Sequence, residues 1–155
     1  MMFATPKSLF RVLAFAEAVT WTLLISGLIL RATIGLDVAV SIGGGIHGLV
    51  FLTYGATAVL LTVNQRWNVG TAVLTIGSAI IPYATIPVEL WLARSGRLAG
   101  EWRTEASDHP RDASWVDRAM RWFLTHPYIL LALIAGAVVL LFVVLLIIGP
   151  PGGSK

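Results

Sequence analysis

Glu17, His47, Glu89 and His126 are ionisable side chains within or at the ends of otherwise apolar stretches. Carboxylates and imidazoles in such places can relay protons, hold a cation, or ligate a metal or haem. A charged group at the centre of a membrane helix costs about 2.5–3.5 kcal/mol on insertion scales, so each needs a partner or a wet cavity. His47 lies in the run Gly43-Gly44-Gly45-Ile46-His47-Gly48. Without a following Lys-Ser/Thr the glycines do not read as a phosphate loop. Gly44 and Gly48 instead form a small-x-x-x-small face, extended by Gly55, that invites close helix packing. The chain has no cysteine, zinc-ligand spacing, Ser-His-Asp order or paired catalytic carboxylates. No catalytic residue is expected, and the protein reads as non-enzymatic.

The elements that must hold these residues follow from where the charges are. Of 155 residues 57% are hydrophobic and 12% charged, against roughly 25% charged in a soluble domain. Eleven of the 19 charges fall between Arg94 and Arg121 as six Arg and five acids, leaving eight for everything else. A soluble domain of this size cannot bury that much apolar surface, and the mixed signs of the charged segment argue against nucleic acid. The fold class is an all-α transmembrane bundle.

Four stretches are long enough to span, at about 20 apolar residues each: Leu9–Leu30, Ser41–Val63, Val69–Leu92 and Pro127–Ile148. The first is read as a retained span, because it is longer than a signal-peptide core, carries Glu17 and lacks a clear cleavage site. Residues 1–93 form a three-span domain, and 94–126 a charged loop. Residues 127–148 are the fourth span and 149–155 a disordered Gly-Pro tail. Within the loop, an amphipathic interfacial helix is predicted over about 110–124, with Asp108 as its cap. It has Trp115, Met120 and Phe123 on the apolar side, and Asp112, Asp117, Arg118 and Arg121 on the other. Pro127 forces a corner at His126. Trp67, Trp91, Trp102, Trp115 and Trp122 are expected in the interfacial aromatic belt.

Four spans put the first and third loops on one side, with seven Lys+Arg there and four opposite. The positive-inside rule then places the long charged loop in the cytoplasm of a bacterial plasma membrane and both termini outside, although Lys7 and Arg11 argue the other way. In this topology His47, Glu89 and His126 share the loop-one face. A His47–Glu89 hydrogen bond is the leading expectation. The sharper alternative makes His47 and His126 axial haem ligands, or joins them to Glu89 around a metal; no cofactor is otherwise expected. Glu17 belongs nearer the other face, with Thr20, Asn64, Gln65 or Arg66 as partners. Pro82 and Pro87 break the third span's ladder, giving a kink.

The pieces Arg11-Val12-Leu13-Ala14-Phe15-Ala16-Glu17-Ala18, Ile46-His47-Gly48-Leu49-Val50-Phe51, Arg66-Trp67 and Ile81-Pro82-Tyr83-Ala84-Thr85 with Glu89 occur in that order. From about Ser8 to Leu92 the chain resembles a family of small bacterial integral membrane proteins, domain of unknown function 3817. The resemblance implies a three-span helical domain without an agreed activity. Members often carry Lys in the first loop and Phe after the Pro-x-x turn; Arg31 and Ile86 lie nearby here. The charged segment and fourth span look like an extension.

Three functions compete. The first is a structural or accessory subunit of a larger membrane assembly, respiratory or cell-envelope, held by other subunits, by self-association and by the lipid bilayer. The second is an oligomeric ion or solute conductor using Glu17 and His47. The third is a haem- or quinone-associated redox protein.

Overall fold

The computed structural model describes residues 5–148, and all regular elements among them are helical. Helix α1 (Pro6–Ile34) starts at a capping box in which the Thr5 hydroxyl accepts the Ser8 N–H at 3.2 Å and the Ser8 side chain reciprocates. It ends at Gly35, whose φ of 69° is the left-handed conformation that closes helices. Helix α2 (Asp37–Asn64) follows after Leu36. So short a turn makes α1 and α2 an antiparallel hairpin, and two glycines set its spacing. A Cβ on Gly27 would lie 2.7 Å from the Ala39 carbonyl oxygen, and one on Gly43 2.8 Å from that of Leu23.

The expected third span is not one helix. Helix α3 (Val69–Gly77) runs into a 3-10 turn (Ser78–Ile80), the chain leaves helical geometry at Ile81, and α4 (Thr85–Arg94) begins anew. Pro82 lacks an N–H and cannot continue a ladder, and Tyr83 takes φ 65°. Helix α4 then runs back along α1 toward its N-terminus: Thr85 donates to the Ala14 carbonyl and Glu89 pairs with Arg11. The kink predicted at Pro82 is therefore a reversal, and α3 and α4 form a hairpin that enters and leaves on one face. Its tip reaches the middle of α1, where Trp21 donates to the Ala79 carbonyl at 3.2 Å and the Thr22 and Tyr83 hydroxyls meet at 3.2 Å. Backbone carbonyls freed at the tip are taken up locally, Ser78 by the Ile81 N–H and Tyr83 by the Ile86 N–H. Irregular backbone at that depth is tolerated because its freed polar groups find partners within the protein, although Ile80, Ile81 and Tyr83 themselves are exposed.

Beyond α4 the chain does not leave the bundle. After a 3-10 turn (Pro110–Ala113), helix α5 (Trp115–Thr125) is capped by Ser114, not by Asp108, with its hydroxyl accepting from the Asp117 N–H. Met120 is buried and Phe123 half-buried, while Trp115 is 74% exposed. The supposed solvent side is partly inverted: Asp112 and Asp117 are buried, for a reason given below. His126 leaves helical geometry at φ −119° and α6 (Pro127–Ile148) follows, packed along α2. The tail 149–155 lies outside the described residues.

Among the described residues three helices, α1, α2 and α6, are long and apolar enough to cross a membrane. With the folded-back hairpin, Val69 and the charged segment lie on the same face as the N-terminus, and the α1–α2 turn lies on the other. Cysteines at Val69, Ala106 and Ile34, all exposed positions, report this directly. Val69→Cys and Ala106→Cys should be labelled by an impermeant maleimide from one side, and Ile34→Cys from the opposite side. Labelling of Val69 and Ala106 from opposite sides would restore a fully crossing third span.

Candidate functional site

The polar residues buried between helices fall into three groups. The first lies at the middle of the α1–α2 hairpin. Antiparallel register brings Glu17 and Thr20 of α1 against His47 of α2, which is ten residues, about 15 Å, into its helix and not at its end. The Thr20 hydroxyl lies 3.4 Å from Glu17 Oε2 and 3.2 Å from His47 Nδ1, and it also reaches the Glu17 backbone carbonyl at 3.0 Å. Carboxylate and imidazole are 3.7 Å apart. Glu17 is 0% and His47 8% exposed, and Glu17 Oε1 has no hydrogen-bond partner. The Trp21 ring covers His47 with centroids 4.4 Å apart, and Phe51 lies beyond it at 6.0 Å. Among the expected partners of Glu17, Thr20 is the one found.

The second group stands between this site and the charged face. Glu89, 1% exposed, accepts from Arg11 Nε at 2.9 Å while its Oε2 is unpartnered. Tyr54, fully buried, shares a 3.0 Å hydroxyl contact with Ser78, reaches the Thr75 carbonyl at 3.2 Å, and lies within electrostatic range of both Glu17 and Glu89. The expected His47–Glu89 hydrogen bond is thus replaced by two separate pairs. The hairpin reversal is the cause, because it carries Glu89 to the Arg11 face.

The haem pair is corrected for a related reason. His126 sits exposed at the start of α6, stacked on Trp122 with its Nδ1 at 2.8 Å from the Trp122 carbonyl oxygen. Phe142, sixteen residues further on, is the α6 residue that packs on Gly45 and Gly48 near His47. That separation is about 24 Å along the helix, so His47 and His126 cannot ligate one iron or join Glu89 around a metal. Among the described residues no group of three His, Asp or Glu forms that could hold a metal ion.

The third group ties down the charged segment. Asp112 accepts from the Ser107 N–H and hydroxyl, both at 2.7 Å, from Arg66, and from Arg103 at 2.8 Å. The Ser107 bonds first, then that of Arg66, hold its carboxyl well below the usual carboxylate range. Burial pushes the Asp117 carboxyl up, but hydrogen bonds from Arg103 and Ser114 outweigh it and leave the group lowered. Arg103 also donates to the backbone carbonyls of Val63 and Asn64, the unsatisfied C-terminus of α2 where a cation is favoured. The two acids turn inward for these arginines. Trp67 likewise belongs to the core and not to the aromatic belt, donating to the Arg97 carbonyl at 2.9 Å.

The expected packing glycines are partly displaced. Gly48 rests on Phe142 and Gly44 on the Leu24 side chain at ordinary distances, while Gly55 faces open space. Gly55 lines an apolar groove of about 310 Å³ with Phe51, Ala56, Ile76, Ala137 and Val138. The tight contacts belong to Gly27 and Gly43, which the small-x-x-x-small pattern did not single out.

Crossing helices, a half-depth hairpin and ionisable residues buried between them define a polytopic helical membrane protein. The chain belongs to the family described as domain of unknown function DUF3817, whose model matches residues 7–94. It is 34% identical over 88 residues to a Streptomyces coelicolor protein named as a membrane protein. That stretch is 56% of this chain and 10% of the relative's length, so the chain matches about a tenth of that protein. No solved structure matches.

Proposed function

We propose that the protein is a non-enzymatic accessory module that docks against another membrane helix of a larger assembly. The observation that carries this is the open groove between α2, α3 and α6, lined by apolar residues that include the small Gly55 and Ala56. In lipid, small residues favour helix association by letting backbones approach. The same domain forming a tenth of a much longer membrane protein supports a part built to work beside other segments. A photo-crosslinking side chain at Val59, which is 54% exposed at the groove, should give one protein adduct of fixed mass in native membranes. Adducts to lipid alone would sink the docking reading.

The folded-back hairpin supports one orientation. Lys7, Arg11, Arg66, Arg94, Arg97, Arg103, Arg111, Arg118 and Arg121 then share one face, nine cations against Arg31 opposite. This asymmetry favours the charged face, with the start of α1, in the cytoplasm of the plasma membrane, and leaves the end of α6 outside. Lys7 and Arg11 no longer argue against the rest. A second reading, a proton or ion conductor, draws support from one observation: Glu17 and His47, distant in the four-span scheme, meet near mid-membrane.

A further inference from the structure

We infer that Glu17, Thr20 and His47 form a proton-binding site in which a single hydroxyl carries the proton between carboxyl and imidazole. The inference rests on the conductor reading for its use but not for its existence. Thr20 Oγ1 lies beside both groups, 3.4 Å from Glu17 Oε2 and 3.2 Å from His47 Nδ1, and by turning its hydrogen away from the Glu17 backbone carbonyl, 3.0 Å off, it can donate to one while accepting from the other. Glu17 Oε1 is buried, aims at no donor and has no cation beside it. A bare carboxylate in that place costs far more than a carboxylic acid. The site therefore has two arrangements of one proton: an acid beside a neutral imidazole, and a carboxylate beside an imidazolium.

The other ionisable groups facing this site are few. From α2 there is Tyr54, and from α4 there is Glu89, already held by Arg11 of α1. The hairpin contributes two hydroxyls: that of Ser78, which donates to the Thr75 backbone carbonyl and meets the Tyr54 hydroxyl, and that of Thr75, which donates to the Thr71 carbonyl. Between Pro127 and Ile148, α6 brings no Asp, Glu, Lys, Arg or His. The proton at Glu17 thus answers chiefly to His47. Glu89 and Tyr54 lie on the charged-face side of the site and mark the direction from which a proton would arrive.

Dicyclohexylcarbodiimide is an apolar reagent that adds to the acid form of a carboxyl, and it reports the site in purified full-length protein. Peptide mapping should find the adduct at Glu17, with labelling falling as pH rises through a single midpoint. His47→Gln removes the group that stabilises the carboxylate and should move that midpoint upward by about one pH unit. Thr20→Val keeps the volume, removes the bridge, and should move it the same way, which covers the case in which the histidine variant does not fold. No adduct at Glu17 at any pH would overturn the site, as would a midpoint indifferent to both substitutions. Protection by sodium chloride but not choline chloride would overturn it in favour of a metal cation. Labelling as expected, with no proton flux in vesicles carrying the protein, would uphold the site and reject the conductor reading.

Discussion

Gly43→Ala is expected to destabilise the α1–α2 hairpin by about 2–3 kcal/mol, the upper range for forcing one carbon into a packed interior. The added methyl would sit 2.8 Å from the Leu23 carbonyl oxygen and 3.1 Å from its carbon, and both are backbone atoms that no rotamer change can move. Gly27→Ala meets the Ala39 carbonyl at 2.7 Å and should cost as much. The contrast is with Gly55→Ala, which has nothing within 4 Å and should be neutral or gain up to about 1 kcal/mol from backbone entropy. Denaturation of the variants in one detergent orders them. Equal effects at Gly43 and Gly55 would show that the hairpin is not held at backbone contact. The same change reaches the site, since Thr20 and His47 meet at 3.2 Å across this helix pair. Helices pushed apart at Gly43 lengthen that contact, so the Gly43 variant should also lose the His47 dependence of Glu17 labelling.

Much of this was legible in the chain. Long apolar runs interrupted by Asp37 and by Asn64-Gln65-Arg66 define α1 and α2, and the uncharged run after Pro127 defines α6. Thr20 was among the expected partners of Glu17, because three residues along a helix share a face. The third stretch failed because hydropathy measures length and composition, and 24 apolar residues fold back as readily as they cross. Two signals could have corrected it. Pro82 stands at its middle, where a reversal needs a residue that cannot continue the helix. Lys7 and Arg11 also opposed the orientation that four spans required, and with a reversal that opposition vanishes. Charge signs alone did not reveal the inward turn of Asp112 and Asp117. An amphipathic pattern separates polar from apolar sides, but it does not say whether the polar side meets water or an arginine cluster such as Arg66 and Arg103. Gly27 does not stand out in the sequence because close approach of two backbones depends on register, which a single helix's spacing does not contain.

Arg11→Ala and Glu89→Ala should be strongly coupled, and His47→Ala with Glu89→Ala should not. Removing Arg11 leaves a carboxylate that is 1% exposed without its donor. Breaking a fully buried ion pair from one side costs about 3–5 kcal/mol. The Arg11 side chain is 47% exposed, so water can replace part of what is lost, and about 1–3 kcal/mol is the expectation for the single change. Glu89→Ala strands only a guanidinium that can turn to solvent and should cost less. The double variant should fall short of the sum of the two by about 1 kcal/mol or more, because the stranded carboxylate is gone. His47 and Glu89 touch different partners, Thr20 and Arg11, and their effects should add within about 0.5 kcal/mol. Thermal unfolding of the two four-member sets in one detergent decides between the topologies. Coupling of His47 to Glu89, with none between Arg11 and Glu89, would require α4 to end on the opposite face and the third stretch to cross the membrane after all.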